Sequence, residues 1–313
     1  MTDTAIHISG FRKEYPAARR KEMRLAVKNL DLDVPAGGLF GFLGPNGAGK
    51  TTTIKMLLGF IPPTQGSATL FGVPVEDPDA RRAVGYLPEQ PYFPKFLTAQ
   101  EVVAAHAGFA GLHGRAGKDH TEALLRRVGA YEYRNLRLSK CSKGMVQRVG
   151  LATALAGDPQ LLIMDEPSSG LDPIGRKELR ELLQELKDEG KTLFISSHLL
   201  SEMESLCDRV AVLHQGELVA CGAPSEITQG DDEVAVLLES MDGDETLAQE
   251  IATLGGSLAP QAEGLRSRLV APAAVLYRVM GLLEQHKARV ISVTQRHETL
   301  EDAFLRLVGS TGQ

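Results

Sequence analysis

What this chain of 313 residues lacks bounds it first. It has three cysteines, Cys141, Cys207 and Cys221, odd in number, widely spread and without a C-x-x-C pair. That pattern argues against a disulfide framework or a zinc site and points to reduced thiols in a cytosolic compartment. No apolar run approaches the roughly 18 to 20 residues needed to span a bilayer. The opening M-T-D-T-A-I-H-I lacks the basic region and apolar stretch of a secretory leader. The expectation is a chain neither secreted nor integral to a membrane. Positive charge is also short, with 34 Lys and Arg against 40 Asp and Glu and a net charge of -6. A nucleic-acid surface needs clustered cations, so none is expected, and the short R-R-K run at 19–21 does not change that. Long heptad stretches and internal repeats are missing too.

What is present begins with composition, 43% hydrophobic and 24% charged, which is that of a folded globular chain long enough for one large or two ordinary domains. The strongest local signal is G-P-N-G-A-G-K-T at 44–51, which meets G-x-x-x-x-G-K-[ST] at every fixed position. G-L-F-G-F-L before it reads as a buried strand, and T-T-I-K-M-L-L-G after it has helical spacing. Glycines let the backbone curl its N–H groups toward phosphates, and the helix start adds its positive dipole end. Gly44, Pro45, Asn46, Gly47, Ala48, Gly49, Lys50, Thr51 and the following Thr52 are therefore candidate nucleotide-binding residues. Lys50 is placed to bridge the terminal phosphates and Thr51 to ligate Mg²⁺.

A phosphate loop needs a second strand that brings carboxylates to the metal. L-L-I-M supplies an apolar strand, and Asp165 and Glu166 fall at its carboxyl end, where ligands bind in open parallel sheets. Asp165 is the candidate for Mg²⁺, and Glu166 for polarising the attacking water.

These residues carry a resemblance to the nucleotide-binding subunit of ABC transporters. G-P-N-G-A-G-K-T resembles that family's first phosphate motif, L-L-I-M-D-E-P its second, S-S-G-L-D at 168–172 its D-loop, and T-L-F-I-S-S-H its switch histidine, His198. The resemblance implies an α/β P-loop NTPase fold of ABC type, with a β-rich part, a RecA-like core and a helical insert. It further implies that His198 holds the attacking water with Glu166, that Tyr15 stacks on adenine, and that Asp172 belongs to the nucleotide-facing D-loop.

The family's usual L-S-G-G-Q segment binds the ATP held by the opposite subunit. Here C-S-K-G-M at 141–145 occupies its place, so Ser142, Lys143, Gly144 and Met145 are candidates for contact with a partner's nucleotide. Lys143 stands where the family has glycine, and Met145 where it has glutamine. A second departure lies in Y-L-P-E-Q. Glu89 falls where a metal-meeting glutamine is usual, with Gln90 one residue later, and the sequence leaves open which serves.

Residues 1–222 are expected to form the nucleotide domain, with a helical insert over about 98–139 that includes a loop at 111–118. Residues 223–313 are expected to form a small α/β accessory domain after an acidic G-D-D-E linker near 230. Apolar patterns there read as strand, helix, strand, helix, strand, and T-L-E-D at 299–302 resembles a capping box for a last helix. The ending E-T-L-E-D-A-F-L-R-L-V resembles the tail of subunits serving exporters whose membrane parts are separate chains. The expected partners are a transmembrane permease, on whose cytoplasmic face the chain would sit, and a second copy or close relative of this ATPase. The substrates and cofactors implied are ATP and Mg²⁺. A soluble ABC ATPase of translation or DNA would show two nucleotide domains or a long coiled coil, and a small-molecule kinase would leave the D-loop without a role.

Overall fold

The computed structural model describes residues 4–16, 23–228, 233–239, 245–260, 266–296 and 298–310. The basic run at 19–21 and the acidic linker around 230 lie outside them. The chain divides into two compact units, Met1–Pro224 and Ser225–Gln313.

The first unit is built on a six-stranded sheet in the order Glu217–Gly222, Arg209–His214, Gly38–Leu43, Thr192–Ser197, Leu161–Asp165, Val84–Leu87. All neighbours run parallel except the first pair. Parallel strands are covered on both faces, which is why Leu161–Asp165 and Thr192–Ser197 are buried at every position. An antiparallel sheet, with Met23–Pro35, Thr4–Pro16, Gln65–Leu70 and Val73–Pro74 in that order, supplies the β-rich part. One apolar cluster joins the two sheets, including Ile6, Phe11, Leu30, Phe42, Ile54 and Phe194. Its Phe42 and Phe194 rings lie 5.1 Å apart. Fully burying side chains of this size stabilises the fold by about 1.5–3 kcal/mol each.

The helical insert contains Ala99–Phe109 and Gly114–Arg127, which pack on each other and on Lys143–Leu155. Thr98 starts the first with a full capping box: its Oγ1 accepts from Glu101 N at 3.2 Å, and its N–H donates to Glu101 Oε2 at 2.8 Å. The loop expected at 111–118 is corrected here, because from Gly114 onward this stretch is helix. Thr121, Leu124, Leu125 and Val128 are buried, a helical i, i+3, i+4, i+7 stripe. Burial of that stripe outweighs the poor propensity of the polar, glycine-containing start.

The second unit is a four-stranded antiparallel sheet in the order Ser257–Pro260, Arg266–Pro272, Glu233–Glu239, Val290–Arg296. Helices Glu245–Thr253 and Leu276–Gln285 contribute Leu247, Ile251, Val279 and Leu283 to its separate core. Five of these elements coincide with the apolar patterns in the sequence, while Ser257–Pro260 was not expected, since four residues ending in proline carry no periodic signal. Leu300–Ser310 is the last helix; Thr299 Oγ1 accepts from Asp302 N at 3.2 Å in a capping-box arrangement.

Candidate functional site

The phosphate loop leaves the buried strand Gly38–Leu43 and enters the helix Lys50–Leu57. Gly49, the residue before that helix, has φ 110°, and a Cβ there would lie 2.7 Å from Ala26 O, so only glycine fits. No side chain caps this helix, which leaves its first N–H groups to an external acceptor. Lys50 is buried and folds back along the loop. Its Nζ donates to Gly44 O at 2.6 Å and Pro45 O at 3.3 Å.

The adjacent parallel strands aim three further groups at the same place. Lys50 Nζ lies 3.4 Å from Glu166 Oε1, and Glu166 Oε2 lies 2.8 Å from His198 Nδ1. A carboxylate accepts, so Nδ1 carries the hydrogen in this contact. Glu166 is buried in the left-handed region at φ 50° and held by its N–H, which donates to Ser196 O and Ser196 Oγ, both at 3.1 Å. Its Oε1 is buried without a hydrogen-bond donor. A non-glycine residue in that region costs on the order of 1–3 kcal/mol, an expense structures concentrate where a side chain needs a particular aim. Asp165 is buried behind it, its Oδ1 accepting from Ser196 Oγ at 2.5 Å. Burial, then the nearby Asp165 carboxylate, pushes the Tyr86 hydroxyl up to about 12.

A cleft of about 610 Å³ opens over these groups. Its walls bring together Tyr15, the loop residues Asn46 through Thr52, Glu89, Glu166 and His198. Gly44, Pro45 and Asp165 are not among the residues that line it. Glu89 faces the cleft, whereas Gln90 lines a neighbouring groove with Cys141 and Lys143. The candidate metal donors are the Thr51 hydroxyl and the Glu89 and Asp165 carboxylates, an all-oxygen set that fits Mg²⁺. No group of three or more His, Cys, Asp or Glu residues that could cage an ion occurs among the described residues.

Ser142, Lys143, Gly144, Met145 and Asp172 do not line this cleft. Ser142 caps the helix Lys143–Leu155, its Oγ accepting from Met145 N at 3.2 Å. Asp172 likewise caps Pro173–Asp188, its Oδ1 accepting from Gly175 N at 2.8 Å. Arg24 lines the cleft unannounced by any sequence motif, and Ser169, from the S-S-G-L-D segment, lines it without having been picked out individually. Arg24 arrives there because strand register pairs it with Tyr15 across the antiparallel sheet.

The family model described as ABC transporter matches residues 27–169. An uncharacterised ABC transporter ATP-binding protein of Nostoc sp. is 37% identical over 98% of this chain and 90% of its own length. The Nod factor export ATP-binding protein I of Rhizobium etli is 35% identical over 98% of this chain and 94% of its own. A solved ATP-binding cassette, a dimer in a post-hydrolysis state bound to ADP and Pi, superposes with a TM-score of 0.65. It is 25% identical and covers 70% of this chain and 98% of that one.

Proposed function

The chain belongs to the ABC transporter family as an ATP-binding, ATP-hydrolysing subunit, and we propose that it powers export by closing in pairs over two ATPs. The observation that carries this reading is the convergence of Lys50, Glu166 and His198 on one cleft beneath the phosphate loop. The adenine stacks on Tyr15, a residue 36% exposed that lines the cleft. The phosphates take the uncapped N–H groups of Lys50–Leu57 and draw Lys50 away from Glu166. Glu166 Oε1, relieved of its ion pair, then accepts a proton from the attacking water, while His198 fixes the other carboxylate oxygen. Thr51, Glu89 and Asp165 are the residues that would hold Mg²⁺. The ion would supply charge neutralisation on the phosphates.

The second half of each nucleotide site is C-S-K-G-M of the partner, a second copy or a close relative. None of that segment's residues lines its own cleft, which leaves them open to another chain's ligand. We assign residues 1–222 to the nucleotide-binding domain and 223–313 to an accessory domain. No helix among the described residues is long and apolar enough to cross a membrane. The transmembrane path is assigned to a separate permease, on whose cytoplasmic face this subunit docks. Similarity to a Nod factor export subunit across 98% of the chain supports outward transport.

The test is Glu166→Gln, which removes the proton acceptor and leaves the cleft's shape. With ATP it should elute from gel filtration as a dimer that does not turn over. A persistent monomer would count against the paired site.

A further inference from the structure

We infer that Lys143 is a positioning residue that couples the two nucleotide sites, by bracing C-S-K-G-M against the loop that holds Ser169. The inference rests on the paired-ATP reading above. Lys143 is the first residue of its helix, and its Nζ donates to Ser169 Oγ at 3.3 Å. Its stem lies across Gly170. A Cβ on Gly170 would meet Lys143 Cδ, Cε and Cγ at 2.6, 2.8 and 3.1 Å, and the residue sits at φ 78°. Glycine at 170 therefore serves the backbone and makes room for this lysine. A second point of contact is close by. A Cβ on Gly144 would stand 3.4 Å from Leu171 Cδ2 and 3.6 Å from Gly170 O.

The brace leads directly to the chemistry. Ser169 lines the chain's own cleft, and its N–H donates to Glu166 O at 3.0 Å. One side chain thus connects a segment that faces the partner's nucleotide to the backbone of the residue that accepts the water's proton. Glu166 is held at φ 50° by its neighbours, so a small displacement of the loop re-aims its carboxylate. Occupation of one site is in this way felt at the other, which is a coupling between sites in the thermodynamic sense. A glycine at position 143 could not make this link.

The experiment measures ATP turnover against ATP concentration for the full chain, with Lys143→Met, Lys143→Arg, Ser169→Ala and the Lys143→Met/Ser169→Ala double variant. The unaltered chain should show a Hill coefficient of about 1.5–2, within the limit of two sites. Lys143→Met keeps the stem and removes the donor. It should bring the coefficient to about 1 and lower kcat about five-fold, and Lys143→Arg should restore both. Ser169→Ala should reproduce Lys143→Met, and the double variant should be no worse than either single one, because both cut the same link. An unchanged coefficient in Lys143→Met overturns the proposal, as do effects of the two substitutions that simply multiply. A coefficient of one in the unaltered chain, with the Glu166→Gln dimer intact, overturns it as well. A Glu166→Gln chain that stays monomeric removes the paired reading itself and the brace's role with it.

Discussion

Two helix starts in this molecule carry short, polar, glycine-containing loops, and they are finished in opposite ways. The helix Lys50–Leu57 begins after a left-handed glycine with no side-chain cap, and its lysine is turned back onto the loop carbonyls. The helix Lys143–Leu155 is capped by Ser142 from its own chain, and its lysine is engaged by Ser169. The first start has donors left over for an anion. The second satisfies part of itself in the isolated chain and, on the proposed paired reading, meets a nucleotide only when another subunit brings one. On that reading one loop is a binding site already formed, and the other is half of one.

Lys50→Ala should produce the largest effect. Turnover should fall at least 100-fold, the scale on which a single charge-stabilising group acts at a transition state, and Oε1 of the buried Glu166 would lose its cation, leaving His198 as the carboxylate's remaining partner. ATP hydrolysis measured within two-fold of the parent would erase the contrast between the loops. His198→Ala should come next, lowering kcat about 100-fold while a fluorescent nucleotide still binds, since the imidazole orients the base and contributes little to holding the phosphates. Equal losses in binding and turnover would place His198 among the binding groups instead. Ser142→Ala should have the smallest effect on the isolated chain. Loss of an N-cap costs about 1 kcal/mol, or roughly 2–4 °C in Tm for a unit of this size. A calorimetric Tm that does not move would mean that the second helix start is as open as the first.

The same contrast explains what could be read from the chain alone. G-P-N-G-A-G-K-T is legible because its physics is contiguous: the glycine turn, the lysine folding back and the helix start all lie within eight positions. Asp165 and Glu166 were legible as an acidic pair at a strand end, but their different stations were not. One carboxylate is tied to Ser196 and the other is shared between Lys50 and His198. Arg24 gave no local signal, since only its pairing with Tyr15 brings it to the cleft. Lys143 stood out in the sequence as a departure from glycine, yet its packing over Gly170 links positions far apart in the chain. The stretch from Gly114 reads as loop by composition, and burial of Leu124 and Leu125 makes it helix.

The order of motifs along the chain determined the family, the fold class and the nature of the ligand, because each motif is a local conformation with a fixed chemical duty. Only tertiary structure decided how those duties meet. Parallel register sets Leu43 beside Ser197 and Asp165 beside Ser196, so the loop after one strand, the acid after another and the histidine after a third arrive at one cleft. It also turned Glu89 into that cleft and Gln90 out of it. Residues 50, 166 and 198 are distant in sequence, and no local propensity can bring them within hydrogen-bonding reach. The hydrogen-bonded ladder between buried strands does.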